Sequence, residues 1–139
     1  MSNKLDTMKP VIVTLLEADA TAGIDAAGFR GKTRRLTGDL TALCWFGSSD
    51  VEFNSEYYLT RYHTLHIQLE AADTTRIDDA IERLDVMIKD LGTGGFFRTL
   101  YDSHNVIKTE HGRTVSALED EGNKVQGYWS CNLLVRYTT

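Results

Sequence analysis

Between Tyr62 and Leu91 the hydrophobic period of the chain changes once. In HTLHIQLEA, His63, Leu65, Ile67, Leu69 and Ala71 fall on one side, and Thr64, His66, Gln68 and Glu70 on the other. That is the period-two pattern of a strand with one covered and one wetter face. After Ala72 the period lengthens. Ile77, Ala80, Ile81, Leu84, Ile88 and Leu91 line one stripe, which predicts a helix over Thr74–Leu91. Asp73 or Thr74 caps its start, Thr75 with Asp78 has the capping-box spacing, and Gly92 stands at the stop. Asp79 with Arg83 and Asp85 with Lys89 are four apart, acid first, and are expected to pair along the helix. The chain closes on GYWSCNLLVRYTT, a second alternating strand with Trp129, Cys131, Leu133, Val135 and Tyr137 on one face. Helix and sheet must bury these apolar faces against each other.

The other segments carry weaker patterns. Leu5 to about Ala20 is read as a helix, with Pro10 in its first turn and Met8, Val11, Leu15 and Ala18 on one side, although Val11, Ile12 and Val13 pull toward strand. Ala22–Thr37 reads as loop, broken by Gly23, Gly28 and Gly31. Leu40–Phe46 reads as a strand, joined through Gly47–Asp50 in an antiparallel hairpin to VEFNSEYYL. Phe96, Phe97, Leu100 and Tyr101 suggest a short turn of helix closing one end of the core, and Asn105–Thr109 another strand. Residues 110–124 lack strong periodicity and are expected to form a flexible loop within a single domain spanning 1–139. The C-terminal strand is expected to lie at a sheet edge, open to a neighbouring subunit.

A chain of 139 residues with 42% hydrophobic and 25% charged content can bury a core as one folded domain. It has no apolar run near the roughly 20 residues that span a bilayer, and its start does not read as a secretory signal. Cys44 and Cys131 sit in apolar strand sequence and are read as buried thiols of a reducing compartment. A net charge of −5 argues against a general nucleic-acid binder. The charge is uneven: Arg30, Lys32, Arg34 and Arg35 form a basic run, while Asp78, Asp79, Glu82 and Asp85, and again Glu119, Asp120 and Glu121, are acidic. Such polarity suits docking against copies of the chain or a charged partner, and equally a surface balanced for solubility.

Candidate chemistry fails on spacing. GFRGKTRR ends like a phosphate-binding loop, but the glycine needed five residues before Gly31 is Ala26. His63 and His66 point to opposite faces of a strand, His104 and His111 are seven apart, and no CxxC occurs. Ser130 beside Cys131, or Ser103 beside His104, lacks an orienting third group. We therefore expect no catalytic residues, no metal and no cofactor. Among the aromatics, Trp45 and Trp129 read as core, whereas Tyr58 and Tyr62 have few apolar neighbours and are candidate interface anchors.

The early helix, LTALCWFGSSDVEFNSEYYL, YHTLHIQLEAADTTRIDDAIERLDVMIKDL and the closing YWSCNLLVRYTT follow one another in an order that resembles the tail terminator (tail completion) proteins of long-tailed bacteriophages, the lambda minor tail protein U type. The resemblance covers most of the chain in element order and carries no catalytic motif. It implies an α+β domain, here with a mostly antiparallel, mixed sheet of about four to five strands and helices on one face. It further implies a ring, usually of six, that caps the tail tube, stops tube polymerisation and presents a surface to the head-neck connector. Its place would be the neck end of the virion tail, after assembly in the host cytoplasm. Its partners would be itself, the tail tube protein and the connector, with no specific nucleic acid and no membrane. On that reading Arg30, Lys32, Arg34 and Arg35 are candidate tube or lumen contacts, and Tyr58, Tyr62 and the Gly112 to Gly122 segment are candidate subunit or tube contacts, from charge and exposure alone. The alternatives are another phage neck or tail-joining protein, or a small cellular α+β domain that binds a ligand between sheet and helix.

Overall fold

The computed structural model describes residues 4–31, 36–54, 58–119 and 124–138. Its elements run α1 (Lys4–Ala18), β1 (Ala26–Phe29), β2 (Leu40–Asn54), β3 (Tyr58–Ala71), α2 (Thr74–Met87), α3 (Phe96–His104), β4 (Val106–Glu119) and β5 (Val125–Thr138). The five strands form one mixed sheet in the order β1-β2-β3-β5-β4. β1 runs parallel to β2, and every other neighbour is antiparallel. This is an α+β fold.

Alternation in the strands decides which face the helices cover. Ala42, Cys44, Leu65, Ile67, Leu69, Trp129, Cys131 and Leu133 are buried in one core with the apolar stripes of all three helices. α2 contributes Ile77, Ala80, Ile81, Leu84 and Met87. Its start is capped by Asp73, whose carboxylate accepts from the Arg76 N–H at 2.9 Å. The helix ends at Met87, not Leu91: the last N–H groups turn back to carbonyls three residues earlier, Lys89 to Val86 and Asp90 to Met87. Ile88 stays buried at the cap, while Leu91 is 60% exposed. Thr109 of β4 donates its hydroxyl to the freed Ile88 carbonyl at 2.5 Å, so the helix end is tied to the sheet.

The stripe of α1 is Met8, Ile12 and Leu16, with Val11 and Leu15 half-buried against the core and Ala18 exposed. Successive steps of four thus replace the expected side, and Pro10 lies inside the helix, not in its first turn. The expected ion pairs along α2 also give way. Arg83 forms a two-pronged bond with Asp19, just beyond α1, at 2.9–3.2 Å. Asp85 instead accepts the Trp129 indole N–H at 2.8 Å.

Three stretches of chain differ from the sequence expectation. Ala22–Thr37 contains β1, because Asp25 organises the entry to β2: its carboxylate accepts from the N–H groups of Asp39 and Leu40, and its own N–H donates to the Leu40 carbonyl. Gly47–Asp50 is not a turn. β2 runs through it with a register shift between Phe46 and Ser49, and pairs with β3 as far as Asn54 after a second shift between Val51 and Phe53. The loop expected over 110–124 is, as far as Glu119, the strand β4, whose three register shifts break its alternation. Residues 120–123 lie outside those described.

β5 is not an edge strand; it lies between β3 and β4. One true edge, β1, is four residues long, and its Ala27 N–H donates to Glu17 of α1 at 3.1 Å. The other edge, β4, carries the three shifts. Short, side-chain-capped or bulged edges resist strand addition by another chain.

α2 crosses the sheet over Gly127 of β5. A Cβ built there would collide with the fully buried Ile77 side chain. Gly127→Ala is expected to lift α2 and cost about 1–3 kcal/mol through overpacking, read as a lower denaturant midpoint at unchanged slope.

Candidate functional site

The face of the sheet away from the helices is where polar and aromatic side chains gather. Trp45 of β2, His66 of β3 and Tyr128 of β5 stand on adjacent strands at matching register: Trp45 opposes His66, and Tyr128 is diagonal to it. The Trp45 and His66 rings stack with centroids 5.1 Å apart and planes 9° from parallel. His66 Nδ1 shares a short hydrogen bond with the Tyr128 hydroxyl. Arg30, directly after β1, lays its guanidinium 3.6 Å from the centre of the Trp45 ring. Gly47 leaves room for this arrangement, since a Cβ there would collide with the His66 ring. The three ring-bearing side chains are half-buried and Arg30 is exposed.

Around this stack the face continues as a bonded network. Thr64 donates to Asn132 at 2.8 Å, and Lys124 and Gln126 both reach Glu70. Tyr62 donates to Glu110 at 3.3 Å, and Lys108 pairs with the same carboxylate at 2.9 Å. Bonding to Lys108, then its charge, holds Glu110 below the ordinary carboxylate range. His63, by contrast, is buried on the helix side, with Nε2 2.6 Å from the Tyr137 hydroxyl. The two histidines therefore occupy opposite faces, as the strand period predicts.

Of the expected contact residues, Arg30 and Tyr62 both lie on this uncovered side. Tyr62 is two same-face positions from His66 along β3, and half-buried. Tyr58 begins β3, and its side chain is outside the described set. Lys32, Arg34 and Arg35 lie outside the described residues. Trp45 was expected in the core and is instead on the uncovered face, since Ala42 and Cys44 take the covered positions of β2. Parity along LTALCWF carries that signal, and the opposition to His66 follows only once the β2–β3 register is known.

Other groups offer little chemistry. Both cysteines are free and buried. Burial pushes the Cys44 thiol up to about 12, and burial and then Cys44 push Cys131 up as well, so neither is a ready nucleophile. His111 comes within 3.4 Å of Asp85, but that carboxylate already holds the Trp129 indole. Among the described residues, no group of three or more His, Cys, Asp or Glu is placed to hold a metal. A cavity of about 580 Å³ lies between α1 and β1, lined by Pro10, Val13, Phe29, Leu36 and Leu43 with Lys9 and Arg30. Among the described residues no helix is long and apolar enough to cross a membrane. No protein-family model matches this chain, and no curated protein matches it either.

Burial, and then the Arg30 charge, lowers the His66 pKa; burial, and then Arg61, lowers that of His63. The folded chain thus binds fewer protons than the unfolded one below the ordinary imidazole value of about 6.5, and its stability falls with pH from there down. Melting temperature is expected to drop between pH 7.5 and pH 5.5, with a shallower drop in His66→Gln, measured by circular dichroism.

Proposed function

We propose that the chain is a ring-forming subunit that caps the tail tube of a long-tailed bacteriophage, ends its polymerisation and offers a joining surface to the head-neck connector. It acts by stoichiometric contact. A ring attaches through several equal sites, so contacts that are weak singly hold the tube end firmly. Partners on this reading are further copies of the chain, the tube protein and the connector, and its place is the neck end of the virion tail.

The observation that carries the reading is the sheet with one face left uncovered by the described helices, bearing a cation–aromatic stack; the resemblance of the sequence to tail terminators is the further support. An uncovered aromatic face of this kind is a common basis for protein association. A role as another neck or tail-joining protein shares these features. A ligand-binding domain is the second reading, favoured by the 580 Å³ cavity beside α1, whose size suits a small apolar molecule with a negative group near Lys9 or Arg30.

Arg34→Glu combined with Arg35→Glu is expected to leave the fold intact and to weaken capping. Added to polymerising tube protein, the natural chain should limit tube length, and the double variant should yield tubes several-fold longer by electron microscopy. Equal lengths with both proteins, or no shortening by the natural chain, would count against the reading.

A further inference from the structure

Acids on one side of α2 and the Arg30 guanidinium on the uncovered face are, among the described residues, without an ion pair. Arg83 is engaged by Asp19, so Asp79 loses the partner that the sequence spacing offered, and Asp85 holds the Trp129 indole. Asp78, Asp79 and Glu82 are exposed and, among the described residues, make no ion pair. They stand three and four apart on one side of the helix, where like charges repel each other. Val86, a turn beyond Glu82, is 54% exposed. On the far side of the sheet, the Arg30 guanidinium lies on Trp45 and likewise makes no ion pair among the described residues.

We infer that the acidic outer side of α2 in one copy docks on the Arg30–Trp45–His66–Tyr128 surface of the next copy. The inference rests on the ring reading above and names the surfaces that would join its subunits. Charge complementarity selects a second copy as the occupant: the surface offers a cation on an aromatic platform, and the same chain carries an acidic stripe ending in an exposed valine. Strand addition is a poor alternative, because β1 is capped by Glu17 and β4 is bulged. The two surfaces lie on opposite layers of the domain, so the contact pairs unlike patches. Such a contact repeats from copy to copy and closes into a ring when its rotation allows, whereas a two-fold dimer would need one patch to meet itself. Desolvating Arg30 while it stays stacked on Trp45 strengthens its pull on a carboxylate.

Sedimentation velocity over a concentration series tests this with four proteins: the natural chain, Arg30→Glu, Asp79→Lys with Glu82→Lys, and all three changes together. All the changed positions are exposed, and melting curves verify that each protein is folded. Either reversal alone should raise the concentration for half-assembly by about tenfold or more, and the combination should recover most of that loss. Reversals that assemble like the natural chain, or a combination no better than its parts, would overturn the docking surfaces while leaving a ring that caps tubes intact. If Arg30→Glu assembles normally but no longer caps tubes, the face serves the tube protein and the inference is also overturned. A natural chain that stays single, alone and with tubes, would remove both the inference and the ring.

Discussion

The close seat of α2 on the sheet is the contact on which the rest of the structure depends. Gly127 opens the space that Ile77 fills, and Trp129, two residues on, is fully buried with its indole N–H held by Asp85 of the same helix. The apolar stripe of α2 and the covered positions of β3 and β5 form the middle of the core. Because the described helices take that side, the other side of the sheet is lined by polar and aromatic side chains, many of them bonded or stacked on one another. Polar bonds across the uncovered face, Thr64 to Asn132 and Glu70 to Gln126 among them, keep the central strands in register where none of the described helices packs.

A second tie fixes the ends of the helices. The Arg83–Asp19 pair joins α2 to the end of α1, and its bonds, together with the Ala22 N–H, hold Asp19 below its ordinary pKa despite the opposing effect of burial. A depressed carboxylate supports the fold above its unfolded value and loses that support as pH falls through the folded one. By taking Arg83, this tertiary pair leaves the α2 surface more acidic than sequence spacing suggests. The same choice that joins the two helices thus shapes the charge of their outer surface.

Much of this was legible in the sequence where period was strong. β3, α2 and β5 announce themselves through alternation and through a stripe that Asp73 caps. β1 does not, since Ala-Ala-Gly-Phe has no alternation and its strand state comes from pairing to β2 and from Asp25. Gly47–Asp50 has the composition of a turn, and a register shift in a long strand absorbed it instead. In β4 three shifts erase the period, so a strand reads as a loop. The surface was legible only in part. Arg30 stood out by charge, but its platform of Trp45, His66 and Tyr128 comes from three strands and depends on register, which composition does not reveal.

Native mass spectrometry of the purified chain, with negative-stain images of the same sample, tests the central claim that this protein works as a closed ring. Six copies of 15.6 kDa should appear as a species of about 94 kDa with an open centre. A chain that remains single at every concentration, and also fails to gather on tube ends, would contradict the account.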